Sequence, residues 1–144
     1  MRVAKFMLAM LLLFAGTALA GDLVVVANPK SGVERLSREE VIFVFMGRWR
    51  HLPSGVEAVP VDAPAESAER AEFYRLLVDK DLHDIKAYWA RLVYSGEGHP
   101  PLRTRSPEEV LKILATTPGA LGYMERSQAK GRVKVVYEFG ASSQ

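Results

Sequence analysis

Asp22-Leu23-Val24-Val25-Val26-Ala27-Asn28-Pro29 puts an unbroken apolar, β-branched run directly before a turn dipeptide. A run with no polar alternate reads as a strand buried on both faces. Strands of that kind are mostly parallel ones covered by helices, so a parallel strand is expected. Downstream, Lys30-Ser31-Gly32 is a loop, and Ser37-Arg38-Glu39-Glu40 is a capping box. In such a box the serine hydroxyl takes the amide of the fourth residue, whose carboxylate reaches back. The box predicts a helix over 38–46 carrying Val41, Ile42, Val44 and Phe45, with Gly47 ending it.

The same alternation continues to the C-terminus. Val56 to Val61 reads as an alternating strand ended by Asp62-Ala63-Pro64, after the Pro53-Ser54-Gly55 turn. Ser67-Ala68-Glu69-Arg70 starts a second helix with Phe73, Leu76 and Leu77 at helical spacing. Asp81 caps a third over 82–93, where Ile85, Tyr88, Trp89, Leu92 and Val93 keep the i, i+3, i+4, i+7 pattern. Ser95 to Pro101 is a loop, and a short strand is expected near Leu102-Arg103. Ser106-Pro107-Glu108-Glu109 is a second capping box, with proline at the first helical position. Ala120–Met124 and Val133–Phe139 are the last strands, and Gly140 to Gln144 is expected to be a loose tail. Strands alternating with helices make this an α/β protein with a central sheet flanked by about four helices.

Composition narrows the functional classes. The 144 residues contain no cysteine, which excludes disulfides, thiolate metal sites and cysteine nucleophiles. Arg2 and Lys5, the apolar run from Phe6 to Ala15, and Ala18-Leu19-Ala20 form the layout of a secretory signal peptide. Residues 1–20 are therefore expected to be a cleaved leader and 21–144 one exported domain, placed in a bacterial periplasm with no membrane span after cleavage. Losing Arg2 and Lys5 from the 19 basic residues brings them level with the 17 acidic ones. No general attraction to nucleic acid or anionic lipid remains. His51, His83 and His99 lie in separate segments without metal-type spacing, and no nucleophile elbow or phosphate-cradling glycine loop is present. No metal, no cofactor and no catalytic residue is expected, and with no nucleophile–base pair the chain reads as non-enzymatic.

Three segments then resemble a known family in order. The stretch Leu36 to Gly47 with Arg48 and His51 is similar to a segment of the phosphate-binding proteins that serve ABC phosphate importers. Ser67 with Phe73 resembles the start of their anion-binding helix, and Thr117-Pro118-Gly119-Ala120-Leu121-Gly122-Tyr123 closely resembles their Thr-Pro-Gly-Ala-Ile-Gly-Tyr. Lys86-Ala87-Tyr88-Trp89 and Gly96-x-Gly98-x-Pro100-Pro101 extend the likeness to residues 23–139. The resemblance implies the type II periplasmic-binding-protein fold, here in a single condensed domain. That family closes two lobes on its ligand, so this shorter chain would be one lobe with a remnant of the other.

Ligands of such folds lie beyond the carboxyl ends of strands and at helix N-termini. That expectation, with the resemblance, nominates Lys30, Ser31, Asp62, Ser67 and Arg70 as residues for inorganic phosphate or another oxyanion. Ala68 stands where the family has a close-approach glycine and Glu69 where it has a threonine hydroxyl. The competing assignment is plain helix capping by Ser67 and a surface Arg70–Glu66 pair at i, i+4. The corresponding partners are an ABC permease or another envelope protein. A second functional class is an interaction or sensor-accessory domain that kept the fold and lost the ligand. Its contact surface would be Arg48-Trp49-Arg50 and the loop from Gly96 to Pro101.

Overall fold

Leu23–Ala27 forms strand β1, and all five of its residues are buried. The computed structural model describes residues 22–140, so the leader and the end of the tail lie outside the described residues. Along β1 the side chains alternate between two cores. Leu23, Val25 and Ala27 pack with α1 (Arg38–Phe45), α2 (Ala68–Val78) and α3 (Leu82–Tyr94). Val24 and Val26 pack with Val110 and Leu114 of α4 (Pro107–Thr116). The unbroken apolar run is thus explained by helices on both faces of one strand.

Its direction is not as expected. The four-stranded sheet runs β2 (Val59–Pro60), β3 (Ala120–Glu125), β1, β4 (Lys134–Glu138). β1 is antiparallel to both neighbours, with Val25 opposite Tyr123 on one side and Tyr137 on the other. Only β2 and β3 are parallel. Burial on both faces sets the hydrophobic pattern, and that pattern carries no information about strand direction. The sheet is mixed and the protein is α/β.

The second expected strand is shorter than 56–61. The backbone after His51 folds into a tight turn, with Leu52 N–H on Val56 O, and His51 bridges Glu57. Pairing with β3 begins only at Val59, whose amide donates to Gly119 O. Beyond Pro60, Val61 bridges Leu102 in the parallel sense, at the place of the expected short strand.

Helix starts follow their local signals. Ser37 and Glu40 make both halves of the capping box at 3.1 and 2.7 Å. Ser106 takes the Glu109 amide, but the Glu109 carboxylate reaches one residue further back, to the Arg105 amide. Ser67 and Asp81 cap α2 and α3. The buried face of α3 is narrower than its apolar spacing suggests. Ile85 and Trp89 are buried, whereas Val93 is 54% and Tyr94 96% exposed. At the centre, Phe73 stacks flat on Tyr123, with centroids 3.8 Å apart and a 6° interplanar angle, while Phe45 meets Phe73 edge-on at 4.8 Å. No helix among the described residues is long and apolar enough to cross a membrane.

Candidate functional site

β2 delivers Asp62 to the edge of the core, where it is only 5% exposed. Its backbone is pinned first. The Asp62 amide donates to Leu102 O, and the buried Thr104 hydroxyl donates to Asp62 O at 2.7 Å. Both carboxylate oxygens are then filled by side chains. Tyr74 of α2 and Tyr123 of β3 donate to Oδ1 at 2.9 and 2.8 Å. Arg70 Nε donates to Oδ2 at 3.2 Å. A buried carboxylate needs this kind of compensation, because desolvating an unpaired charge is costly. Burial, reinforced by the neighbouring Asp62 charge, pushes both phenols well above the ordinary tyrosine value. Tyr74 and Tyr123 therefore stay protonated and act as donors.

Arg70 sits on the first turn of α2, three residues after the N-cap Ser67. The Ser67 hydroxyl accepts the Arg70 amide at 3.2 Å. The guanidinium spans three contacts: Asp62 through Nε, Ala65 O through Nη1, and the Tyr74 ring 5.4 Å below. Its partner is Asp62 rather than the expected Glu66, which is exposed. The first-turn position of Arg70 faces the strand it follows, and the buried carboxylate there outweighs a solvated one. Among the described residues, Arg70 Nη2 and the amides of Ala68 and Glu69 carry no acceptor. These are the orphan donors of a helix start, beside a fixed cation.

Of the five nominated residues, the fold brings together Asp62, Ser67 and Arg70, and places Lys30 and Ser31 elsewhere. Because β1 is antiparallel to β3 while β2 is parallel to it, the carboxyl ends of β1 and β2 leave the sheet at opposite ends. Ser31 is buried in its own turn. Its hydroxyl accepts the Val33 amide and its carbonyl accepts the Ser54 hydroxyl at 2.6 Å. The exposed Lys30 gives its amide to Asn28 Oδ1, and Asn28 Nδ2 ties this turn to Leu114 O at the end of α4. The sequence reading missed Tyr74, Tyr123 and Thr104 as partners of Asp62. Tyr74 had a usable signal, lying four residues beyond Arg70 on one helix face. The other two reach Asp62 only through tertiary structure.

No protein-family model matches the chain. Over 101 residues, 67% of this chain, it is 29% identical to the phosphate-binding protein PstS of Bacillus subtilis and spans 29% of that protein. An ABC-type phosphate transport receptor from Vibrio cholerae superposes with a TM-score of 0.66 at 16% identity, over 86% of this chain and 48% of that one. PstS from Borrelia burgdorferi superposes with a TM-score of 0.63 at 12% identity, over 86% and 49%. The chain is similar in sequence to a phosphate-binding protein and has the fold of the solved phosphate receptors, over about half of their length.

Proposed function

We propose that the protein is an exported, non-enzymatic module of the phosphate-receptor kind that holds an oxyanion at the head of α2. The observation behind this reading is a fixed arginine beside free helix-start amides. Asp62 and Ala65 O hold the Arg70 guanidinium, which belongs to the same first helical turn as the capping Ser67 hydroxyl and the Ala68 and Glu69 amides. Amides at a helix start plus a forked cation suit a tetrahedral oxyanion such as inorganic phosphate. The phosphate-binding relatives and the leader-like residues 1–20 support a periplasmic setting alongside an ABC permease. Glu66 and Glu69 flank the same helix start, and a single lobe leaves the ligand facing water. Affinity is accordingly expected to be weak.

Titration with phosphate and with sulfate, followed by calorimetry and melting temperature, tests this reading. Ligand at about ten times Kd should add about 1.4 kcal/mol of stability. Arg70→Lys keeps the pair with Asp62 but loses the fork, and should abolish the shift. If millimolar phosphate and sulfate are both silent, the second reading replaces the first: an interaction or accessory domain that kept the fold and lost the ligand. One feature favours that alternative. The chain's own Asp62 carboxylate already takes the arginine and both tyrosine donors.

A further inference from the structure

Two loops that are about fifty residues apart in sequence meet on the surface around Trp89. Gly47 ends α1 with φ 78°, and a Cβ there would lie 2.8 Å from Trp89 Cη2 and 3.8 Å from His99 O. A Cβ on Gly98 would lie 3.8 Å from Gly47 O and 3.9 Å from Trp89 Cζ3. The far edge of the indole thus wedges the loop after α1 against the loop after α3. The Tyr88 hydroxyl adds a bond of 2.6 Å to Met46 O.

What this junction presents is basic and aromatic. Arg48, Trp49, Arg50 and His51, with Leu52 and Pro53, line a shallow hollow of about 360 Å³. Trp49 is 37% exposed and rests on Phe43 at 5.2 Å, while Arg48 lies 5.9 Å from the same ring. Among the described residues, none of Arg48, Arg50, His51 and His99 takes part in an ion pair. The acids on the same segments, Glu57 and Glu97, are exposed.

We propose that this two-loop surface docks an acidic segment of a partner protein. The arginines would take its carboxylates in bidentate fashion, and Trp49 would receive a flanking aromatic side chain. Exposed Trp and Arg side by side are the residue types that dominate binding energy at protein interfaces. A small free oxyanion fits less well. The amides of Arg48 and Trp49 both donate to Phe43 O, at 2.8 and 3.0 Å, so those two amides are not free to cradle it. A lipid surface fits less well too, since membrane-binding clusters carry about four to eight basic residues. The proposal does not depend on whether the head of α2 binds phosphate.

A labelled synthetic peptide of alternating glutamate and tyrosine, followed by fluorescence anisotropy with the purified protein, provides the test. Binding should weaken about tenfold or more in R48E/R50E and as salt is raised. It should change less than about threefold in K112E/K130E, which reverses two charges elsewhere. Melting temperature reports folding, and R48Q/R50Q substitutes for the reversal if that variant is destabilised. Millimolar phosphate should not displace the peptide, and phosphatidylglycerol vesicles should not bind in its place. The proposal is overturned by no peptide binding, by equal loss in both charge-reversal variants, or by preference for the vesicles.

Discussion

The Tyr123 hydroxyl donates to Asp62 Oδ1 at 2.8 Å and accepts the Ala63 amide at 3.1 Å, so one phenol closes the turn that follows β2. The closest resemblance segment, Thr117 to Tyr123, ends on this residue, and its glycines also have structural work. Gly119 lets the backbone of Glu57 approach, and Gly122 lies against Leu114.

Tyr123→Phe should cost about 1–3 kcal/mol, because it strips the buried Ala63 amide of its acceptor and Asp62 of a donor. Phenylalanine keeps the stack on Phe73, so the loss reports the hydroxyl. Tyr74→Phe removes only a donor to Asp62 and should cost less. Urea unfolding of the two variants checks the order, and the reverse order would contradict this account of the turn.

Asp62→Ala leaves Nε of Arg70, whose side chain is 18% exposed, and two buried phenols without an acceptor. Removing one partner of a buried ion pair typically costs about 3–5 kcal/mol. Asp62→Asn keeps an acceptor oxygen and should cost less. A loss below about 1 kcal/mol in Asp62→Ala, by chemical denaturation, would show that the network contributes little to the fold.

High pH should destabilise the protein through Tyr74 and Tyr123. Burial raises their folded pKa values above the ordinary tyrosine value of about 10. The stability they contribute is therefore fully present below pH 10 and is lost as pH rises further. Phenolate absorbance from these two residues should appear together with loss of the circular-dichroism signal. Their ionisation while the fold persists would be the contrary result.

Gly119→Ala would place a Cβ 1.7 Å from Glu57 O, a backbone atom that cannot rotate away. Its cost should reach or exceed the upper end of the about 1–3 kcal/mol usual for overpacking. Gly140→Ala meets nothing within 4 Å and should be neutral in the same thermal melt.

How much was legible depended on range. Ser37, Ser67, Asp81 and Ser106 all cap the helices they were expected to start, because a cap is decided within four residues. The two faces of β1 were legible from its apolar run. Val93 was misplaced because apolar spacing marks a stripe but not how much of it a neighbour covers. Asp62, Ser67 and Arg70 could be nominated together because they lie within nine residues of one another. Their separation from Ser31 could not, since it follows from strand direction.

The amino-acid sequence alone determined the element order, the helix starts, the double-sided burial of β1 and the likeness to phosphate-binding proteins, all of which rest on local chemistry or on motif order. Tertiary structure alone decided that β1 runs antiparallel, that Tyr74 and Tyr123 converge on Asp62, and that the loops after α1 and α3 share one surface at Trp89. Those outcomes join residues as distant in sequence as Val24 and Glu138, and hydrophobic periodicity specifies which face of an element is buried without specifying which distant residue will cover it.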